Sequence, residues 1–283
     1  MQFEELKEIQ DFFLRTTQKN PADDIIDSFA DKMGDIFVRN TLHRIEAYRT
    51  SYFARISSVF PETVFNLASC LFEKKFVAGL IVEYFLDNPT SLNMNDSLLD
   101  IPKYLEQNEN IEECPFVPDF MRLCLIRDQV LASENPLTEN FIFNSSFIPK
   151  PSEIFLQRNH SVIKSHWPLY QMYNVAREIE DRFDAAGNSL SEEISQEIEE
   201  LRVQKFSAIQ NVAESLLLYK SSACTLEVLH IPEEYISFVE NMSEGKSLEL
   251  SIENMQVDDN FDSEKFSSWI ALLTQHKALV KGI

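Results

Sequence analysis

The spacing of apolar residues predicts helices over most of the first 135 residues. Apolar side chains recur at intervals of three and four in several segments, which is the spacing of one helix face. The predicted helical segments are 3–14, 41–59, 61–70, 76–85 and 116–131. We expect Pro61 to begin a new helix, because a proline in the first helical turn loses no hydrogen bond.

A linker is predicted at 137–150. Prolines at both of its ends, Pro136 and Pro149, bias the preceding residue away from helical dihedral angles. The predicted organisation is therefore a helical bundle domain at 1–136, the linker, and a second domain at 151–283.

The second domain contains a predicted β-hairpin. Two runs rich in residues that favour strands, 212–219 and 223–231, are separated by Lys220-Ser221-Ser222. Three helices follow, with Gly245 ending the first and Asp262 or Ser263 capping the third. This order is typical of a winged-helix-like module, and the predicted fold class is α+β, mostly α.

An acidic insert at 184–205 interrupts this domain. Its residues Leu190, Ile194, Ile198 and Leu201 have helical spacing. Two interpretations remain open: a partner-binding helix, or an amphipathic helix laid over the body of the domain. The second is favoured because such apolar stripes are ordinary in globular proteins.

The charge balance is strongly acidic. The 283 residues include 46 Asp and Glu against 25 Lys and Arg, a formal net charge of −21. Residues 1–136 carry 23 acidic and 13 basic side chains and residues 137–283 carry 23 and 12, so neither half is basic. Nucleic acids and anionic membranes bind surfaces on which cations are clustered. Binding of this protein to either one is therefore not expected.

Basic residues cluster only around residues 39–55. Within this segment Arg44, Tyr48, Tyr52 and Arg55 share one face of a helix, and Arg49 lies beside it. We predict a partner-binding surface here, suited to an acidic partner or a phosphate. The alternative is that the tyrosines are core residues and the arginines pair with acidic neighbours.

No signature of catalysis or metal binding is visible. The five histidines form no HExxH motif, the four cysteines form no CxxC motif, and the five glycines form neither GxGxxG nor a P-loop. We therefore predict no catalytic residue, no metal and no cofactor, although a triad assembled from distant segments stays open. The cysteines are expected to be reduced thiols in the cytoplasm, because the N-terminus is acidic and no long apolar run occurs.

A winged-helix-like module can read DNA or can bind a peptide that adds a strand to its sheet. Segment 232–256 contains six glutamates and a single basic residue, Lys246, which is unsuited to DNA. Peptide binding needs no positive surface, and we predict a peptide site at the hairpin. Its predicted residues are Leu216, Leu218, Thr225 and Glu227.

Five segments resemble a bacterial family long labelled as DNA-binding. They are 44–52 (RIEAYRTSY), 60–64 (FPETV), 76–91, 161–169 (SVIKSHWPL) and 214–219 (ESLLLY). The resemblance implies a helical N-terminal domain and a partner protein of multinuclear non-haem iron oxidative enzymes. Such a partner would hold the precursor of a modified peptide while the enzyme alters its cysteines.

The match to the family pattern is best at Tyr48, Arg49, Tyr52 and Pro61. Segment 121–125 (MRLCL) departs from it, because the family often has an acidic residue and a tryptophan there. The insert at 184–205 is also longer than the family pattern.

We therefore expect a cytoplasmic, non-enzymatic adaptor that binds a precursor peptide and docks on an iron-dependent oxidase. The alternative is a DNA-binding transcriptional regulator, which needs a clustered basic surface. A third possibility is an enzyme of unrecognised type.

Overall fold

The computed structural model describes residues 41–88, 97–142, 149–187, 191–255 and 261–282; the side chains of residues 41–46, Asn110 and Thr138 lie outside this description. The predicted helix at 3–14 also falls outside it. The described chain is mostly helical with a smaller β component, which confirms the predicted α+β class. It divides into two compact units, residues 1–121 and 122–283. The predicted domain limits of 1–136, 137–150 and 151–283 stay predictions.

Among the described residues up to 132, the α-helices are α1 (Thr41–Glu62), α2 (Asn66–Phe72), α3 (Lys74–Asp87), α4 (Ile101–Leu105) and α5 (Val117–Ala132). The helices and strands named next lie in the second unit. These are β1 (Ile154–Leu156), β2 (His160–Ser165), α6 (Leu169–Ala186), α7 (Glu192–Ser207), β3 (Glu214–Lys220), β4 (Leu226–Ile231), α8 (Ile236–Ser243), α9 (Leu248–Glu253), α10 (Ser263–Gln275) and β5 (Leu279–Lys281).

The first unit has an aromatic core. The ring of Phe72 lies 5.3 Å from that of Phe120 and 5.8 Å from that of Phe116. Phe60 of α1 stacks on Phe85 of α3 with ring centroids 5.9 Å apart. These contacts are of the offset and edge-on kinds that aromatic rings favour. They hold α1 to α3 and α2 to α5 within this unit.

Pro61 does not begin a helix, and that prediction was wrong. It lies inside α1, one residue before its end, and the next helix begins at Asn66. A proline removes one hydrogen bond to the carbonyl four residues earlier, here that of Ser57. Because Pro61 is in the last turn, the helix loses that bond and then stops.

The predicted hairpin is confirmed. Strands β3 and β4 pair in antiparallel fashion from Ser215–Ile231 to Lys220–Leu226. Strand β2, which the apolar pattern did not reveal, pairs antiparallel with β3 on its other side, so the sheet order is β2-β3-β4. The short strands β1 and β5 form a second antiparallel pair.

The sheet is buried on both faces of its central strand. On one face Leu217 and Tyr219 join a core that includes Phe238 of α8 and Trp269 of α10. Alternate residues Leu216 and Leu218 point to the opposite face, where α6 packs against β3. The three predicted helices after the hairpin are all present, and Gly245 has the positive φ of 86° expected at a helix end.

The acidic insert forms α7, which packs on α6. Ile198 is buried, and Lys205 pairs with Glu178 of α6 at 3.1 Å. The helix is capped by Ser191, whose hydroxyl accepts a hydrogen bond from the N–H of Ile194. This is the arrangement expected of an amphipathic helix laid over the domain.

Candidate functional site

Strand β4 is an edge of the three-stranded sheet. The N–H of Ser221 donates to the carbonyl of Thr225 at 2.9 Å, just before the paired residues of the hairpin. Hydrogen-bonded pairs alternate with non-bonded pairs along an antiparallel ladder. Counting from Thr225, the main-chain groups of Glu227 and Leu229 therefore bond to β3.

The intervening residues Leu226, Val228 and His230 direct their N–H and C=O groups away from β3. Within the described ranges, no other strand pairs with this side of β4. An edge of this kind is a template on which another extended chain can add by main-chain hydrogen bonds. The edge of β4, defined by these three residues, is the candidate site.

The side chains along this edge differ between its two faces. Leu226 and Val228 are half-buried and His230 is exposed, all on the face that α6 covers. The His230 ring lies 6.1 Å from the ring of Tyr170, the second residue of α6. An added strand would therefore meet an apolar surface bordered by an aromatic pair on this face.

Glu227 lies on the opposite face of the edge and is held in place. Its Oε1 accepts a hydrogen bond from the hydroxyl of Ser221 at 3.1 Å, and its Oε2 lies 3.3 Å from Nδ1 of His276. The side chain keeps 28% of its surface exposed. A positioned, partly exposed carboxylate at a strand edge can bind a cationic side chain of an incoming strand.

Tyr219 lies directly opposite Glu227 on β3. Burial raises the pKa of its phenol well above the ordinary value, and the charge of Glu227 raises it further. The hydroxyl is buried and has no hydrogen-bond partner among the described residues. The phenol of Tyr219 is therefore neutral at physiological pH.

The four predicted peptide-binding residues separate into two groups. Leu216 and Leu218 are fully buried on the central strand, so we correct their assignment: their side chains are core residues that no peptide can reach. Thr225 is exposed in the hairpin turn and Glu227 lies on β4. The sequence pattern predicted the two strands of the hairpin but not β2. It therefore could not show that β3, with a partner on each side, is the central strand.

The predicted partner-binding surface lies on α1. Tyr48 is 62% exposed and Arg55 is exposed, whereas Arg49 and Tyr52 are half-buried. The ring of Tyr52 packs edge-on against Phe53 at 5.1 Å. The side chain of Arg44 lies outside the described residues. The side chains of Tyr48 and Arg55 are therefore accessible to a partner on α1, whereas Tyr52 packs within the unit.

The described ranges of the chain contain no group of three or more His, Cys, Asp or Glu side chains placed to hold a metal ion. Nor does any helix in them have the length and apolar character needed to span a membrane.

No family model matches the chain, and no curated protein is significantly similar to it in sequence. The resemblance to the partner proteins of iron-dependent oxidases therefore stays an expectation based on the five segments.

Proposed function

We propose that this protein is a non-enzymatic adaptor that binds a peptide as an additional strand on the edge of β4. The observation that carries the proposal is the sheet order β2-β3-β4, which leaves the main-chain groups of Leu226, Val228 and His230 directed outward. In strand addition, main-chain hydrogen bonds supply affinity and alternate side chains supply specificity.

The surroundings of the edge favour a cationic peptide. Glu227 lies on β4, and Glu233 and Glu234 follow within three residues of its end. Alternate residues of an added strand would face Glu227 on one side and the apolar pair Leu226 and Val228 on the other. The favoured peptide therefore alternates basic and apolar side chains.

The second part of the proposal is docking on an iron-dependent oxidase through α1. It follows the resemblance of segment 44–52 and is supported by the 62% exposure of Tyr48, since exposed tyrosines and arginines are typical anchors of protein interfaces. In the proposed complex the adaptor presents the peptide and the oxidase carries out the chemistry.

Peptide binding is tested with a synthetic hexapeptide of alternating lysine and valine. The variant Val228→Pro removes an outward N–H of β4 that the ladder does not use, and proline is tolerated at such edge positions. We expect it to abolish binding. The matched control is Val162→Pro on the outer edge of β2, where proline also removes an outward N–H; it should bind the hexapeptide as the unmodified protein does.

A second peptide separates strand addition from simple attraction of charge. The same hexapeptide, N-methylated at alternate residues, keeps its charge but loses one row of N–H donors. If both peptides bind equally tightly, or if Val162→Pro and Val228→Pro weaken binding to the same extent, the β4 edge is not the site. DNA binding that survives 200 mM salt would favour the regulator instead.

Docking is tested by purifying the protein together with the products of the genes that flank its own, among which the proposal expects an iron-dependent oxidase. We expect a complex that Tyr48→Ala weakens and that the exposed-site control Leu99→Ala does not. A complex unaffected by Tyr48→Ala would remove α1 from the interface.

A further inference from the structure

Glu227 lies at a position of β4 where the side chains of an added strand come close. Its main-chain groups bond to β3, so an antiparallel added strand would place a non-bonded pair at Glu227. In such a pair the α-carbons are about 4.5 Å apart and the two side chains are neighbours. The charge of Glu227 therefore acts on one particular side chain of the added strand.

His276 faces the carboxylate of Glu227 from a different element. It directly follows α10, and its Nδ1 lies 3.3 Å from Oε2 of Glu227. The other oxygen, Oε1, accepts a hydrogen bond from the buried hydroxyl of Ser221. The side chains of Glu227 and His276 are both partly exposed, so that water and a ligand can reach the pair.

The protonation state of His276 sets the net charge of this pair. A neutral imidazole can donate its Nδ1–H to the carboxylate, and the pair then keeps one negative charge. A protonated imidazole forms an ion pair with the carboxylate, and the net charge becomes zero. Since unperturbed imidazole groups titrate near pH 6.5, a change of this kind falls within the physiological range.

The other groups around the pair keep their charge in this range. Tyr219 of β3 is opposite Glu227, and burial raises the pKa of its phenol well above the ordinary value. Burial also raises the pKa of Tyr173 of α6, and the charge of Glu227 contributes to that shift. Lys277 follows His276, and lysines are cationic at neutral pH. In the described part of the chain, no carboxylate other than that of Glu227 lies within 4 Å of the His276 ring.

From this geometry we propose that His276 determines the charge selectivity of the β4 edge, an inference that rests on the peptide-binding function proposed above. When His276 is neutral, Glu227 selects a lysine or an arginine at the opposed position of the added strand. When His276 is protonated, its imidazolium neutralises Glu227, and the preference for a basic side chain is lost. The proton and the basic side chain compete for one carboxylate, so binding of a basic peptide releases a proton.

Calorimetric titration at pH 5.5 and pH 8.0 tests this proposal, with circular dichroism to show that the protein is folded at both values. The probes are the alternating lysine–valine hexapeptide and the same peptide with glutamine in place of lysine. Both have acetylated and amidated ends, so that neither peptide titrates in this range. We expect the Kd of the lysine peptide to be about fivefold lower at pH 8.0, as is typical of a partly exposed ion pair, and that of the glutamine peptide to be unchanged.

Two outcomes are distinguished by these probes. If neither peptide binds at either pH, the peptide-binding function itself is overturned, and the role of His276 with it. If the lysine peptide binds equally tightly at both pH values, the role of His276 is overturned and the peptide-binding function stands.

Two histidine variants assign the effect to a residue. His276→Gln keeps an amide that can donate to Glu227 but cannot titrate, so it should bind the lysine peptide at both pH values as the unmodified protein does at pH 8.0. His230→Gln is the matched control, because His230 is exposed on the opposite face of β4. It should keep most of the fivefold change. A change that persists in His276→Gln, or that disappears in His230→Gln, would overturn the proposal.

Proton release provides a readout that a purely structural histidine would not alter. Calorimetry of the lysine peptide at pH 6.5, in two buffers of different ionisation enthalpy, measures the number of protons released on binding. We expect release of a fraction of a proton from the unmodified protein and from His230→Gln, and no release from His276→Gln. Equal release from all three proteins would show that the proton does not come from His276.

Discussion

The ammonium of Lys220 donates a hydrogen bond to the carbonyl oxygen of Leu131 at 2.8 Å. It donates a second one, also at 2.8 Å, to the carbonyl of Ser133. Lys220 is the last residue of β3 and is 3% exposed, whereas Leu131 is in the last turn of α5. Carbonyls at a helix end have no intrahelical partner, and a cation there also interacts favourably with the helix dipole. One buried lysine thus joins the central strand to the end of α5.

Lys220→Met should lower the free energy of unfolding by about 2 kcal/mol, since it keeps the apolar stem but leaves buried carbonyls without a donor. Urea denaturation measures this loss. The control is Lys164→Met, which removes an exposed ion pair with Glu240 and should change stability by less than about 1 kcal/mol. Equal losses in both variants would contradict a structural role for the bonds of Lys220.

Amide hydrogen exchange should show an alternating pattern along β4. In the free protein the N–H groups of Val228 and His230 should exchange rapidly, whereas those of Glu227 and Leu229, bonded to β3, should be protected. The alternating lysine–valine hexapeptide should slow the exchange of the outward N–H groups of Leu226, Val228 and His230 and leave those of Glu227 and Leu229 unchanged. Protection of Val228 in the free protein would mean that something already covers this edge.

Stability should fall in mild acid partly because of His160. Burial lowers the pKa of this histidine below its ordinary value of 6.5, and the hydrogen bond to the carbonyl of Gln157 opposes the shift. The unfolded chain therefore takes up the proton more readily. The stabilising contribution is complete above about pH 6.5 and is lost as the pH falls through the folded-state pKa.

The variant His160→Asn removes this titration. Between pH 7.5 and pH 5.5 it should lose less unfolding free energy than the unmodified protein, as measured by urea denaturation at both values. A loss equal to that of the unmodified protein would show that protonation of His160 does not couple to folding.

Truncation of two residues of α1 should change the stability of the protein by very different amounts. Ile56 is fully buried, and Ile56→Ala should cost about 2 to 5 kcal/mol because it leaves a cavity in the core. Tyr48 is 62% exposed, and Tyr48→Ala should change stability by less than about 0.5 kcal/mol. Thermal unfolding of both variants checks this. A large loss in Tyr48→Ala would indicate a packing role.

Gly282 packs directly against the ring of Phe155. A β-carbon at this position would overlap the ring, so the ring must move when alanine is introduced. Gly282→Ala should therefore lower the free energy of unfolding by about 1 kcal/mol, because an added carbon against a packed neighbour introduces strain. Urea denaturation measures this loss, and unchanged stability would show that the ring of Phe155 moves aside without cost.

The helical and hairpin elements were largely predictable because their signals are local. The apolar spacing around Phe76–Phe85 predicted α3. Asp262 or Ser263 was expected to cap α10, and the cap is Asp262, whose carboxylate accepts hydrogen bonds from the N–H groups of Glu264 and Lys265 at 3.0 and 3.1 Å. Pro61 was misjudged because the same residue is acceptable in the first and in the last turn of a helix, and only packing selects between them.

The candidate sites were less predictable because they depend on which segments meet. Leu216 and Leu218 are apolar residues of the kind found in any strand. They become inaccessible only because β2 pairs with β3. Likewise, a cavity of about 430 Å³ lies between a loop near Asn135 and the end of β5, which are more than 140 residues apart in the sequence.

The amino-acid sequence by itself determined the helical character, the hairpin and the acidic charge of this protein, because these depend on the residues of each segment and their immediate neighbours. Tertiary structure alone decided that β4 is an edge and that Arg158 and Lys281 border one cavity. Pairing and burial between distant segments carry no local pattern, since their free energy comes from contacts that form only when the chain has folded.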